Sequence, residues 1–323
     1  MLPSASFLRF ALRALVDEEA REMIRAVGEF RRYTVWGIRR AVRGFERVFE
    51  ERGVGEFPAP DLARLVADVM VEAGYAAYRG DRLRWLRGAG PRPAVRTRLA
   101  GEFRPVVDRV LETLPEALET GRRPLVYTGE SAEVKAVFAK FLDNAGYNWI
   151  REWAIKWAGL PSLRPGSRVV DVGAGFGLST LAVLHHTRCR VIAVDSYPSN
   201  LETLLGYAEV LGLKDRVEVR VGRGEELSKL VERADAVVLI NVLHWCVDPQ
   251  RVLSEAASAA PLALVVQGTY DDLKNRAGNV LTWLLGSSVL PRRAELRRWI
   301  RDAGWRTVKY TGFPVDAFLL ARR

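Results

Sequence analysis

The chain predicts a doubly wound α/β domain in its C-terminal part, preceded by a mainly helical domain, and two observations carry this. Beyond about residue 165, short apolar runs of strand length alternate with helix-like stretches, the pattern that builds a largely parallel sheet. In the first 120 or so residues, apolar positions recur at helical spacing, and the period changes to two at residues 75–85. A third observation locates a site. The run Val169-Val170-Asp171-Val172-Gly173-Ala174-Gly175-Phe176-Gly177 carries an apolar strand through an acid and straight into three alternate glycines.

In chain order, Ile38, Val42, Phe45 and Phe49 form one apolar stripe. Pro58-Ala59-Pro60 breaks it. Asp61 can cap the next helix, which Leu62, Leu65, Val66, Val69 and Met70 carry as far as Gly74. Tyr75–Tyr78 and Arg82–Trp85, joined by Gly80-Asp81, read as a hairpin. A helix leading directly into such a hairpin outlines a winged helix. Gly121-Arg122-Arg123-Pro124 reads as a linker, which divides the chain into residues 1–123 and 124–323. Val134 to Ala158 reads as one helix, with Trp149, Trp153 and Trp157 on one face. These tryptophans either join the helix to its domain or, in the case of Trp149 and Trp153, wall a pocket for a flat molecule; Tyr270 and Trp283 are further aromatic candidates for that wall.

The glycine run describes a nucleotide-binding turn, in which Gly173 and Gly175 supply positive φ and Gly177 lets the helix from Leu178 to about His186 pack closely. It implies a bound adenosine cofactor. A dinucleotide fingerprint reads G-x-G-x-x-G, whereas here the third glycine falls one residue early, which disfavours NAD. Asp195, which ends the strand Val191–Val194, follows the last glycine by 18 residues, near the offset at which an acid meets ribose hydroxyls. Val217–Gly222, Ala234–Asn241 and Leu262–Gln267 read as the third, fourth and fifth strands. The tail Leu296–Trp305 is followed by the alternating Thr307–Tyr310 and the run Ala317–Leu320.

In this order the segments resemble the S-adenosylmethionine-dependent methyltransferases with a Rossmann-like, seven-stranded sheet. The resemblance implies that the tail Leu296–Trp305 forms a last helix, and that Thr307–Tyr310 and Ala317–Leu320 form a terminal antiparallel hairpin. The resemblance implies S-adenosyl-L-methionine as cofactor, held by Asp171, Gly173, Gly175, Gly177, Asp195, Arg223 and Asn241. Arg223 stands where the family often has an acid, so its backbone N–H or its guanidinium would meet the adenine. The whole arrangement is similar to small-molecule O-methyltransferases, whose N-terminal winged-helix domain dimerises and covers the active site. That likeness implies a homodimer and a small, aromatic hydroxylated acceptor. It also implies that His244, at the carboxyl end of the fourth strand, touches the substrate and takes the acceptor proton, as a neutral imidazole of ordinary pKa can. The family's His-Asp-Trp run is altered here, since Trp245 follows His244 directly. Asn241 is followed by Val242-Leu243 rather than by two prolines, unlike many methyltransferases of adenine, cytosine or glutamine amino groups.

Composition bounds the partners. Forty-nine basic against 39 acidic residues give a net charge of +10, mostly from arginine, which suits a heat-adapted protein as well as a polyanion binder. Arg79, Arg82, Arg84, Arg87, Arg92, Arg96 and Arg98 crowd the hairpin region. They form either a solvated face on a dimerising domain or a phosphate-binding surface, and in the second case the enzyme would methylate RNA or protein. Two cysteines, outside any C-x-x-C pair, offer no zinc site and no disulfide framework and point to the cytoplasm. Arg9 and Arg13 interrupt the apolar run Phe7–Val16, which argues against a signal peptide, and no uncharged stretch reaches membrane-spanning length.

Overall fold

The computed structural model describes residues 18–128 and 131–322, so the run at residues 7–16 lies outside the described residues. The chain forms two compact units. Among the described residues, one holds 147–268 and 292–322 and the other 18–146 and 269–291.

The sheet unit contains β3 (Arg168–Val172), β4 (Arg190–Asp195), β5 (Val217–Val221), β6 (Ala236–Ile240), β7 (Leu262–Gln267), β8 (Trp305–Thr311) and β9 (Asp316–Arg322). Their order is β5-β4-β3-β6-β7-β9-β8, with β3 to β7 parallel and β9 antiparallel to both of its neighbours, β7 and β8. β3, β4, β6 and β7 are buried almost throughout, which is why they read as continuous apolar runs. Side-chain alternation deals them to two cores. Val170, Val172, Val237 and Leu239 join Leu253, Ile300 and Trp305 on one face, while Val169, Val191 and Val238 join Ile155 and Leu184 on the other. The chain runs outward from β3 through β4 to β5, then returns to lay β6 against the opposite side of β3. The carboxyl ends of β3 and β6 therefore flank the topological switch point, where such sheets bind ligands.

The helical unit contains α1 (Glu18–Ala41), α2 (Glu46–Glu51), α3 (Pro60–Glu72), the hairpin β1 (Ala76–Arg79) and β2 (Arg82–Trp85), then α4 (Arg98–Gly101), α5 (Arg104–Leu111), α6 (Leu114–Thr120) and α7 (Ala132–Leu142). The stripe from Ile38 to Phe49 is not one helix, because it breaks at Arg43–Phe45 around Gly44, a poor helix former. The hairpin pairs Arg79 with Arg82, and Gly80 takes φ +65° at the first turn position, as a type II′ turn requires.

Two expected boundaries shift. The helix expected over 134–158 divides into α7 and α8 (Ala145–Ala158), because the Asn144 amide turns back to donate to the Phe141 carbonyl while Glu102 accepts from the Ala145 N–H. The domain boundary does not fall at residue 123 either. Residues 124–146 and the insertion 269–291, with α13 (Leu273–Leu284), belong to the helical unit. Ala277, Val280, Leu281 and Leu284 of α13 are fully buried, and the helix packs on α1 and α3. Arg123 donates to the Ser287 carbonyl, and the Tyr127 N–H donates to that of Leu285, so the chain just past the linker stays with this insertion.

Candidate active site

The turn after β3 is a backbone device. Gly173, Gly175 and Gly177 take φ of +68°, +54° and +84°. Crowding enforces the residue type as well as the angle: a Cβ on Gly173 would lie 2.2 Å from Val242 Cγ2, and one on Gly177 would lie 2.2 Å from Leu204 Cδ1. Gly177 ends the turn and starts α9 (Leu178–His186) at the expected bounds.

Asp195 closes this turn from the neighbouring strand. Its Oδ2 accepts the Gly175 N–H at 2.8 Å, and its Oδ1 accepts the Tyr197 N–H at 2.9 Å and the Asn200 amide at 3.1 Å. Burial pushes its pKa up against these three bonds. A carboxylate has about four lone-pair sites, so Asp195 retains acceptor capacity for a ribose hydroxyl. Asp171 is of another kind. It is 1% exposed, it accepts from the Thr180 hydroxyl at 2.6 Å, and burial lifts its pKa to about 7 although Thr180 and Arg151 oppose the rise.

The loop after β5 is drawn in by the Gly222 N–H, which donates to the Asp195 carbonyl at 3.0 Å. Arg223 is exposed there. Next to it, Gly224 lies against Val172 and Val252, and Glu225 accepts the backbone N–H groups of Val247 and Asp248 from the segment after β6. That segment begins at Asn241, a non-glycine residue at φ +53° whose N–H donates to the Val266 carbonyl. Left-handed backbone at a strand end of this kind costs about 1–3 kcal/mol and clusters at functional positions.

His244 sits in a short 3₁₀ turn, Leu243–Trp245, and is 6% exposed. Its Nδ1 lies 3.0 Å from Nε2 of Gln267, the last residue of β7. Burial, only partly opposed by the Gln267 bond, holds its pKa down at about 4. The expected charge change near neutrality is therefore absent: at neutral pH the imidazole is already uncharged.

The structure thus gathers Asp171, the three glycines, Asp195, Arg223, Asn241 and His244 at the carboxyl ends of β3 to β6 and the segments just beyond them. Trp149, Trp153 and Trp157 are half-buried on α8, their rings stacked at 6.2 and 5.8 Å, and the last two pack on the sheet core. Tyr270 and Trp283 belong to the helical unit. The Tyr270 hydroxyl donates to Asp68, and Trp283, 4% exposed, carries Arg123 3.5 Å above its ring. Sequence reasoning missed Gln267, although a polar residue ending an apolar strand is the same signal that marked Asp171 and Asp195.

Residues 170–260 match the family model for a methyltransferase domain. A carboxy-S-adenosyl-L-methionine synthase of Escherichia coli O1:K1 / APEC is 29% identical over 92 residues, covering 28% of this chain and 36% of its own. The chain thus spans about a third of the length of the curated relatives it matches. Two solved structures share the fold over nearly the whole chain. An O-methyltransferase family 2 protein from Planctomyces limnophilus, in complex with apigenin, has a TM-score of 0.58 at 18% identity and covers 91% of this chain and 94% of its own. The CurJ carbon methyltransferase has a TM-score of 0.65 at 14% identity, covering 96% and 94%. Residues 170–260 are thus similar to a methyltransferase domain, and the chain shares the fold of these two methyltransferase structures.

Proposed function

We propose that the chain transfers a methyl group from S-adenosylmethionine to a hydroxyl, or a similar nucleophile, of a small aromatic molecule. The observation that carries this reading is the direct bond between Asp195 and Gly175, which ties a ribose-type acid to the glycine turn, with the buried His244–Gln267 pair at the ends of β6 and β7. When bound, the cofactor supplies an electrophilic methyl on a sulfonium sulfur. Asp195 would accept from the ribose hydroxyls, the turn would admit the cofactor's close approach, and Arg223 would cover the adenine. Asp171, fixed by Thr180, and Asn241, fixed on Val266, would border the remainder. His244 and the flat faces of Trp149 and Trp153 would meet the acceptor. Similarity in fold to a protein solved with apigenin, a hydroxylated aromatic, supports this class of acceptor. A homodimer formed through the helical unit, working in the cytoplasm, belongs to the same reading. Among the described residues, no helix is long and apolar enough to cross a membrane.

A second reading rests on the hairpin, where Arg79, Arg82 and Arg84 are exposed, whereas Arg87 and Arg92 are engaged with the Ala73 carbonyl and with Asp108. These exposed guanidinium groups suit a phosphate backbone, and with it methylation of RNA. Incubation with methyl-labelled cofactor, a panel of hydroxylated aromatics and total RNA separates the two. The proposal expects label in the small-molecule fraction; label confined to RNA would replace it with the second reading.

A further inference from the structure

We propose that Gln267 locks His244 in the tautomer that carries its proton on Nε2, so that His244 meets the acceptor as a hydrogen-bond donor and the site takes an acceptor that arrives already ionised. The acceptor class this names is an acidic phenol or an enol, as opposed to a neutral alcohol. The choice of acceptor rests on the methyltransferase reading above, whereas the tautomer stands on geometry alone.

The Gln267 amide nitrogen lies 3.0 Å from His244 Nδ1 and 3.2 Å from the Gly268 carbonyl oxygen. An amide NH₂ has two protons and no acceptor, so it can serve both partners at once. Turning the amide over would set Oε1 against the Gly268 carbonyl, two acceptors face to face, and would move both amide protons to a place where Oε1 now finds no partner. The nitrogen therefore faces Nδ1. A donor against Nδ1 requires a lone pair there, and a neutral imidazole with that lone pair carries its proton on Nε2.

Two features hold this state. Gln267 is fully buried, and Asp316, its register partner on β9, is occupied by Arg293 and the Tyr310 hydroxyl. The second feature is the burial of His244 itself, which disfavours a second proton on the ring. With Nε2 protonated and Nδ1 engaged by Gln267, the ring has no lone pair to offer an acceptor's proton. An acceptor that enters as an oxyanion needs none. Its lone pair forms the O–C bond while the sulfonium C–S pair stays on sulfur, which becomes a neutral thioether, so charge balances and no proton moves. The Nε2–H meanwhile orients that oxyanion.

The test is nitrogen-15 NMR of the full chain, with the His244 signals among its three histidines assigned by their loss in His244→Gln. The expected spectrum shows an unprotonated Nδ1 and a protonated Nε2, unchanged between about pH 6 and pH 8. A proton on Nδ1, or titration within that range, would overturn the proposal. In Gln267→Glu the new carboxylate accepts from Nδ1–H, so the proton should move to Nδ1 and the pKa should rise toward or beyond the ordinary value of about 6.5. An unchanged tautomer in that variant would also overturn it. Should that variant fail to fold, the wild-type spectrum decides. In the labelled-methyl assay, turnover across phenols should follow their ionised fraction, and equal turnover of aliphatic alcohols would overturn the acceptor class. Absence of cofactor binding would remove the methyltransferase reading and leave the spectrum as an independent result.

Discussion

Buried charges of the helical unit and the buried polar groups at the sheet unit's switch point are treated in opposite ways. In the helical unit the buried charges of Arg39 and Glu29 are saturated by their surroundings. Arg39, 3% exposed, gives Nε and Nη2 to the Arg87 carbonyl, pairs with Glu46 and lies 4.4 Å from the Trp85 ring centroid. Glu29 accepts from the backbone N–H groups of Arg96 and Thr97 and from the Thr97 hydroxyl. At the switch point of the sheet unit three buried polar groups are left partly unsatisfied: Asp195 keeps acceptor capacity, Asp171 is driven toward its neutral form, and Gln267 Oε1 has no partner. Groups saturated from within hold a fold together. Groups with spare capacity at a switch point are placed for a ligand, and the stability they forgo there is offset by the two apolar cores beneath.

The largest expected effect falls on the turn. Gly177→Ala puts a Cβ 2.2 Å from Leu204 Cδ1 and 2.7 Å from its Cβ, at a φ of +84°. Overpacking and left-handed strain together should cost about 2–5 kcal/mol, read by chemical denaturation. A change below about 0.5 kcal/mol, typical of an unconstrained site, would show that the turn has no need of glycine there.

The next effect sharpens the contrast through pH. The raised pKa of Asp171 means that its contribution to stability is fully present below 3.8 and is lost as pH rises through about 7. Asp171→Asn should therefore gain on wild type over that window, by at most about 4 kcal/mol. Glu29 behaves in the opposite sense. Burial pushes its pKa up, but the Thr97 and Arg96 bonds outweigh this and leave it lowered, so its contribution is present above 4.5 and is lost as pH falls through the lowered value. Glu29→Gln should lose on wild type above that pH, by about 1–3 kcal/mol. Thermal melts of both variants from acid to neutral pH check the signs, and parallel curves would erase the distinction between the units.

Much of this was legible in the sequence where the signal is local. The strands β3, β4, β6 and β7 stood out because burial on both faces leaves few polar positions, and the glycine turn stood out because few other residues tolerate its backbone. The break at Asp143–Asn144 did not, since apolar periodicity continues across it and the deciding bonds come from Phe141 and Glu102. Nor did the transfer of residues 269–291 to the helical unit, because the partners of α13 are some two hundred residues away in the chain. His244 was found by its place after the fourth strand. Its state was hidden, for it depends on which atom of Gln267 faces the ring, and the left-handed Asn241 leaves no mark in a single sequence.

The central claim is that the sheet unit's unsaturated strand ends hold S-adenosylmethionine, and calorimetric titration of the full chain tests it most directly. The account predicts saturable binding of the cofactor or its demethylated product, which Asp195→Ala weakens by about 1–3 kcal/mol through the loss of charge-assisted hydrogen bonds. Wild-type protein that takes up neither molecule, or an alanine variant that binds as tightly as wild type, would contradict it.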